Sequence, residues 1–108
     1  MTIFLEDSFD SAHFLPNVPE GHKCARLHGH TYRIRIEVTG EVGERTGWVM
    51  DYADLKKNWC VIKDQIDHRN INDILPNSTC ELLAQWIYNR LRPELPKAVS
   101  LTVTPTNS

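Results

Sequence analysis

Between Thr31 and Thr39 the chain alternates without a break: Tyr32, Ile34, Ile36 and Val38 are apolar, and Arg33, Arg35 and Glu37 between them are charged. A helix would spread those four apolar side chains around its circumference, whereas an extended strand puts them on one face. The segment is therefore a strand with one dry face and one wet face, and the dry face needs a cover. Composition allows a modest one. The chain has 108 residues, of which 41% are hydrophobic, and this suits one core in a single domain spanning residues 1–108.

The rest of the pattern supplies the cover. Residues 2–13 mix β-branched and aromatic residues with polar ones and read as a first strand. Pro16, Pro19 and Gly21 break up residues 14–27 into a surface loop. Gly40 to Gly47 reads as a turn, with Trp48 to Met50 returning as a short strand. A helix follows, capped by Asp51, in which Leu55, Trp59, Ile62 and Ile66 form one apolar stripe with Cys60 beside it. Residues 67–77 are irregular. The capping-box spacing of Ser78 and Glu81 predicts a second helix, buried through Leu82, Leu83, Trp86, Ile87 and Leu91 and ended by Pro93 and Pro96. Val99 to Thr104 reads as a closing strand. Strands grouped with strands, and helices with helices, give an α+β fold. So small a sheet leaves its edges open, and edge-to-edge assembly is expected.

Charge and hydropathy narrow the setting. A net charge of −2 offers no basic surface for nucleic acid, and no apolar run approaches the ~20 residues that cross a bilayer. The opening MTIFLEDSFD carries acids where a secretion signal starts basic and apolar, so a cytoplasmic setting with reduced thiols is expected for Cys24, Cys60 and Cys80.

Four of the five histidines fall between residues 13 and 30. His28 and His30, two apart in extended backbone, project from one face and can reach one ion. His13 closes the first strand and becomes a third ligand if that strand pairs alongside. Three imidazoles with an open fourth position describe a catalytic zinc site, in which the metal acts as a Lewis acid. The competing reading is a set of unrelated surface histidines. His22, on the loop, is left outside the metal sphere. Cys24 lies beside Lys23 and near Arg26, cations that favour the thiolate as nucleophile or base, although spacing alone leaves its reactivity open. Asp67 and His68 either form a proton-shuttling pair or mark a helix end followed by a turn.

Taken together, Phe9-Asp10-Ser11-Ala12-His13, Gly21 through His30, Thr46-Gly47-Trp48-Val49-Met50-Asp51 and Asp67-His68-Arg69-Asn70-Ile71-Asn72-Asp73 resemble the 6-pyruvoyl-tetrahydropterin synthase family over residues 4 to 104. Within it they are most similar to the bacterial 6-carboxytetrahydropterin synthase branch of the queuosine and deazapurine pathway. The resemblance implies a tunnelling fold: a four-stranded antiparallel sheet with two helices on one face, sheets joining into a barrel in trimers, and two trimers stacking into a hexamer with sites between subunits. It implies Zn2+ held by His13, His28 and His30, with 7,8-dihydroneopterin triphosphate binding through its side-chain oxygens. Cys24 becomes the general base and Asp67 with His68 the proton relay. The bacterial branch yields 6-carboxytetrahydropterin and acetaldehyde; the eukaryotic branch stops at 6-pyruvoyltetrahydropterin. Lys23 and Arg26 are candidate partners of the triphosphate.

Two segments depart from the family pattern. Where the family anchors the pterin with a Glu-Thr pair on the closing strand, this chain has Val103-Thr104. Losing a bidentate carboxylate is expected to cost ~2–4 kcal/mol, roughly thirty- to thousand-fold in affinity. The family's Pro-Thr-Ser-Glu or Pro-Thr-Thr-Glu segment, which also contacts the pterin, is here Ser78-Thr79-Cys80-Glu81, keeping Thr79 and Glu81 as candidate pterin contacts. Relatives continue past the position of Ser108. These departures keep a third expectation in view, a zinc-stabilised pterin-binding homologue with impaired catalysis.

Overall fold

The computed structural model describes residues 1–95 and 97–106; Pro96, read above as a helix terminator with Pro93, lies outside the described residues, as do Asn107 and Ser108. Two twelve-residue strands, β1 (Thr2–His13) and β2 (His28–Thr39), form an antiparallel ribbon running from the Thr2–Thr39 pair to the His13–His28 pair. A two-residue β3 (Arg69–Asn70) lies parallel to β1 at Ser11–Ala12, and β4 (Ala98–Pro105) lies antiparallel to β2. The order is β3-β1-β2-β4. The sheet is therefore mixed rather than purely antiparallel.

The other strand is also corrected. Trp48–Met50 is a bend, not a strand. Both edges of β2 are already taken, by β1 and β4, so a hairpin partner after residue 40 has nothing to pair with. The 40–50 segment instead closes on itself: the Gly43 and Gly47 N–H groups bond the Trp48 and Gly43 carbonyls at 2.9 and 2.8 Å, with Gly47 at φ +74°.

Helix α1 (Tyr52–Lys63) starts where Asp51 accepts the Ala53 N–H at 2.9 Å, as its sequence predicts. Helix α2 (Cys80–Leu91) is capped by Thr79, which accepts the Leu82 N–H at 3.2 Å. That overturns the Ser78–Glu81 capping box: Ser78 is fully buried and bonded elsewhere, and Glu81 is exposed. The helices cover the face that carries Leu5 and Phe9 of β1 and Tyr32, Ile34, Ile36 and Val38 of β2, and they add Leu55, Trp59, Ile62, Leu83, Trp86, Ile87 and Leu91 to the core. Leu82, expected on the buried face of α2, is exposed; Ile66 is buried but lies in the turns after α1. Phe4, Glu6, Ser8 and Asp10 lie on the uncovered face. No helix among the described residues is long and apolar enough to cross a membrane.

Candidate functional site

The antiparallel register places the histidines. His13 stands directly opposite His28, and His30, two residues along β2, stands opposite Ser11. All three fall on the helix-covered side of the sheet, at the end where the core runs out beyond Tyr32. The H-x-H pair lies inside β2 rather than ahead of it, because β2 starts at His28. One ring nitrogen from each residue lies within 4.8 Å of the others. The ring centroids are 4.6, 5.2 and 4.8 Å apart, with the planes steeply inclined.

Each ring is held by a backbone carbonyl. Nδ1 of His13 bonds the Ser78 carbonyl at 2.9 Å, Nδ1 of His28 the Arg26 carbonyl at 2.7 Å, and Nδ1 of His30 the Thr106 carbonyl at 2.7 Å. A carbonyl only accepts, so each Nδ1 carries the proton and the lone pair is left on Nε2. This arrangement fixes tautomer and orientation in histidines that ligate metals. Burial pushes the His13 imidazole below its ordinary range; the Ser78 carbonyl opposes this, while His28 and His30 add to it. The neutral ring is the ligand form.

Two clefts flank His30. One of about 500 Å³ is lined by Lys23, Cys24, Arg26, His28 and His30 together with Pro105 and Thr106. Cys24 sits there on a short 3-10 turn, Lys23–Ala25. Its carbonyl accepts the Leu15 N–H at 2.8 Å, and its N–H is capped by the His22 imidazole at 3.0 Å. His22 is thus a loop cap, outside the three-histidine cluster. The other cleft, of about 640 Å³, takes in His30, Thr106, Asp10 and His68. There the Asp67 carboxylate accepts the Asp10 N–H and meets Nδ1 of His68, both at 3.0 Å. Partial burial raises the Asp67 pKa, but those two partners outweigh it and hold the carboxyl below its ordinary range. The His68 side chain is 77% exposed and its φ is +57°, a left-handed conformation uncommon outside glycine.

The sequence relatives agree with this architecture. Residues 2–107 match the family described as PTPS, 6-pyruvoyl tetrahydropterin synthase. The chain belongs to this family. A 6-carboxy-5,6,7,8-tetrahydropterin synthase of Synechocystis sp. is 42% identical over 96 residues, 82% of this chain and 73% of the relative. A dihydroneopterin monophosphate aldolase of Pyrococcus furiosus is 40% identical over 99 residues, 92% of this chain and 82% of the relative. The solved 6-pyruvoyl tetrahydropterin synthase of Caenorhabditis elegans superposes with a TM-score of 0.80 at 25% identity, covering 99% of this chain and 96% of that one.

Within this pterin-synthase fold, the remaining candidates divide. Lys23 and Arg26 line the Cys24 cleft. Thr79, Glu81 and Thr104 line neither cleft beside the histidines. The Thr79 hydroxyl caps α2, and Thr104 is exposed opposite Arg33. Val103 is half-buried opposite Ile34 and packs against the core, its carbonyl accepting the Cys80 thiol at 3.3 Å. The roles that sequence reasoning missed are main-chain ones, at Arg26 and Ser78, which it had read for their side chains, and at Thr106. The carbonyls of Ser78, Arg26 and Thr106 set the three rings, and a backbone acceptor leaves no residue-type signal to read.

Proposed function

We propose that the chain is a zinc-dependent lyase that converts 7,8-dihydroneopterin triphosphate and water into 6-carboxy-5,6,7,8-tetrahydropterin, acetaldehyde and triphosphate, a step of queuosine and deazapurine biosynthesis. The observation that carries this reading is the trio of imidazoles whose Nδ1 atoms are all committed to carbonyls, with a cysteine in the adjoining cleft. His13, His28 and His30 would hold the ion through Nε2. Zinc, when bound there, supplies a Lewis acid that acidifies a C–H bond in the side arm of the pterin. Cys24 takes that proton as thiolate. Asp67, held by the Asp10 N–H, orients His68 to pass protons to and from the same arm of the substrate. Lys23 and Arg26 receive the phosphates.

Assembly belongs to the same proposal. β4 ends the sheet on one side, and β3 covers only two residues of β1 on the other. A trimer joining sheets into a barrel, and a hexamer of two trimers, would close those edges. Cys24 and His68 border different clefts of one protomer, which suits a site completed between copies.

The 40% identity to an aldolase named for the monophosphate favours a second reading, carbon–carbon cleavage of dihydroneopterin monophosphate. An aldolase also needs a base and an electrophile, and the same residues would supply them. Mass spectrometry of products from zinc-loaded protein, given the triphosphate and the monophosphate separately, tests all readings. 6-Carboxytetrahydropterin with acetaldehyde supports the first, and cleavage of the monophosphate alone the second. A 6-pyruvoyl product moves the protein to the sister activity. No product from either substrate refutes catalysis and leaves a pterin-binding homologue lacking a carboxylate at Val103.

A further inference from the structure

The segment that follows Asp67-His68 does more than hold the relay. Residues 67–72 run alongside residues 10–14 as a continuous parallel track. At its start the His68 N–H bonds the Asp10 carbonyl at 2.6 Å and the Asp67 carboxylate accepts the Asp10 N–H. In the middle, Arg69 and Asn70 pair with Ser11 and Ala12. At its end the backbone leaves the track, and the side chain of Asn72 takes over.

That side chain treats Phe14 as a strand partner would. Its Oδ1 accepts the Phe14 N–H at 2.8 Å, and its Nδ2 donates to the Phe14 carbonyl at 2.9 Å and the Pro76 carbonyl at 3.0 Å. Two carbonyls face one end of the amide and an N–H faces the other, so only one orientation of the group fits. The buried Ser78 hydroxyl lies 3.2 Å from the Phe14 carbonyl and 3.3 Å from Asn72 Oδ1. Ser78 is the residue whose carbonyl holds His13. Asn72 thus fixes both sides of the His13 ring: the backbone immediately after His13, and, through Pro76 and Ser78, the carbonyl that sets its tautomer.

We propose that Asn72 is a positioning residue for the three-histidine centre, acting on His13 through Phe14 and Ser78. Neither leucine nor alanine at 72 could bridge an N–H and two carbonyls. Aspartate would keep the acceptor for Phe14 N–H but set a carboxylate oxygen against the Phe14 and Pro76 carbonyls. The inference rests on the metal reading above, and the test separates the two.

Zn2+ affinity of the apo-protein is measured by chelator competition, and Co2+ is added as a spectroscopic probe of ligand geometry. Asn72→Asp and Asn72→Ala should lose about ten- to a hundred-fold in metal affinity and show a changed Co2+ visible spectrum. Leu91→Ala, which opens a core cavity at the far end of α2 from Ser78, provides a destabilised control. Its metal affinity and Co2+ spectrum should match those of the unsubstituted protein. Asn72 variants that bind metal as tightly as that control, with the same spectrum, overturn the proposal. Should they fail to fold, Asn72→Gln keeps the amide but displaces it by one methylene from the Phe14 and Pro76 main chain. A weakened affinity there supports the inference, and an unchanged one overturns it. Absence of binding by the unsubstituted protein would instead remove the metal reading, and with it this one.

Discussion

Asp7 is where α1 is fastened to the sheet, and its removal should be felt well beyond one ion pair. Its Oδ2 accepts the indole N–H of Trp59 at 2.8 Å and the ammonium of Lys63 at 3.0 Å. Trp59 is fully buried, whereas Lys63 and Asp7 side chains are 26% and 33% exposed. The two bonds therefore differ in worth. An exposed ion pair contributes about 0–1 kcal/mol, whereas a buried donor left without a partner costs about 1–3 kcal/mol. Asp7→Asn keeps an oxygen for the indole and should cost at most about 1 kcal/mol. Asp7→Ala loses both and should cost about 1–4 kcal/mol in all. Urea unfolding at fixed protomer concentration measures the two, since assembly would make apparent stability depend on concentration. The pH dependence has a definite sign. Burial raises the Asp7 pKa, but the Trp59 and Lys63 donors outweigh it, so the folded value lies below the unfolded one. The stabilisation is then fully present above about pH 4, the unfolded value, and is lost as pH falls through the lower folded value. The gap between wild type and Asp7→Asn should close over that acid range. Equal losses for Asn and Ala, within about 0.5 kcal/mol, would refute the assignment of most of the cost to the orphaned indole.

Cys24→Ala should abolish turnover while leaving zinc content and assembly intact by metal analysis and gel filtration; unchanged activity would remove Cys24 from the mechanism. Thr79→Ala should lower stability by about 1 kcal/mol through loss of the α2 cap, read from the urea midpoint, and an unchanged midpoint would deny the capping role. Val103→Glu should tighten pterin binding at least roughly thirty-fold in a fluorescence titration, at some loss of Tm because the side chain packs against the core. No gain in affinity would mean that the ring does not approach β4. His68→Gly relieves a left-handed backbone and should hold or raise Tm while cutting turnover, whereas full activity would exclude His68 from the relay.

What the sequence made legible was whatever depends on periodicity. β1 and β4 lie within a residue or two of their expected bounds, and α1 starts at its expected cap, because alternation and capping are local properties. The errors arose where pairing is decided by competition. Three residues, Trp48–Met50, cannot reveal that the strand they would join already has two partners. Asn70 has little strand propensity and β3 is two residues long, held against β1 by main-chain pairing that the Asp67 and Asn72 side chains bracket. Ser78 and Thr79 both suit a cap. Ser78 is drawn inward by His13, Phe14 and Asn72, and this leaves Thr79 to cap α2. The histidine trio was visible by spacing, while the carbonyls that aim it were not.

Those carbonyls also explain how the parts of the site depend on one another. Arg26, whose carbonyl sets His28, follows Cys24 by two residues on the loop pinned by the bond from Leu15 to Cys24. Thr106, whose carbonyl sets His30, borders both clefts, and its hydroxyl also accepts the Thr31 N–H at 3.1 Å. Ser78, which sets His13, opens onto the cap of α2. Three segments far apart in sequence therefore each hold one ring, and two of them, at Arg26 and Thr106, also line the clefts beside His30. On the proposed reading, a displacement of the 14–27 loop would alter the base and one metal ligand together.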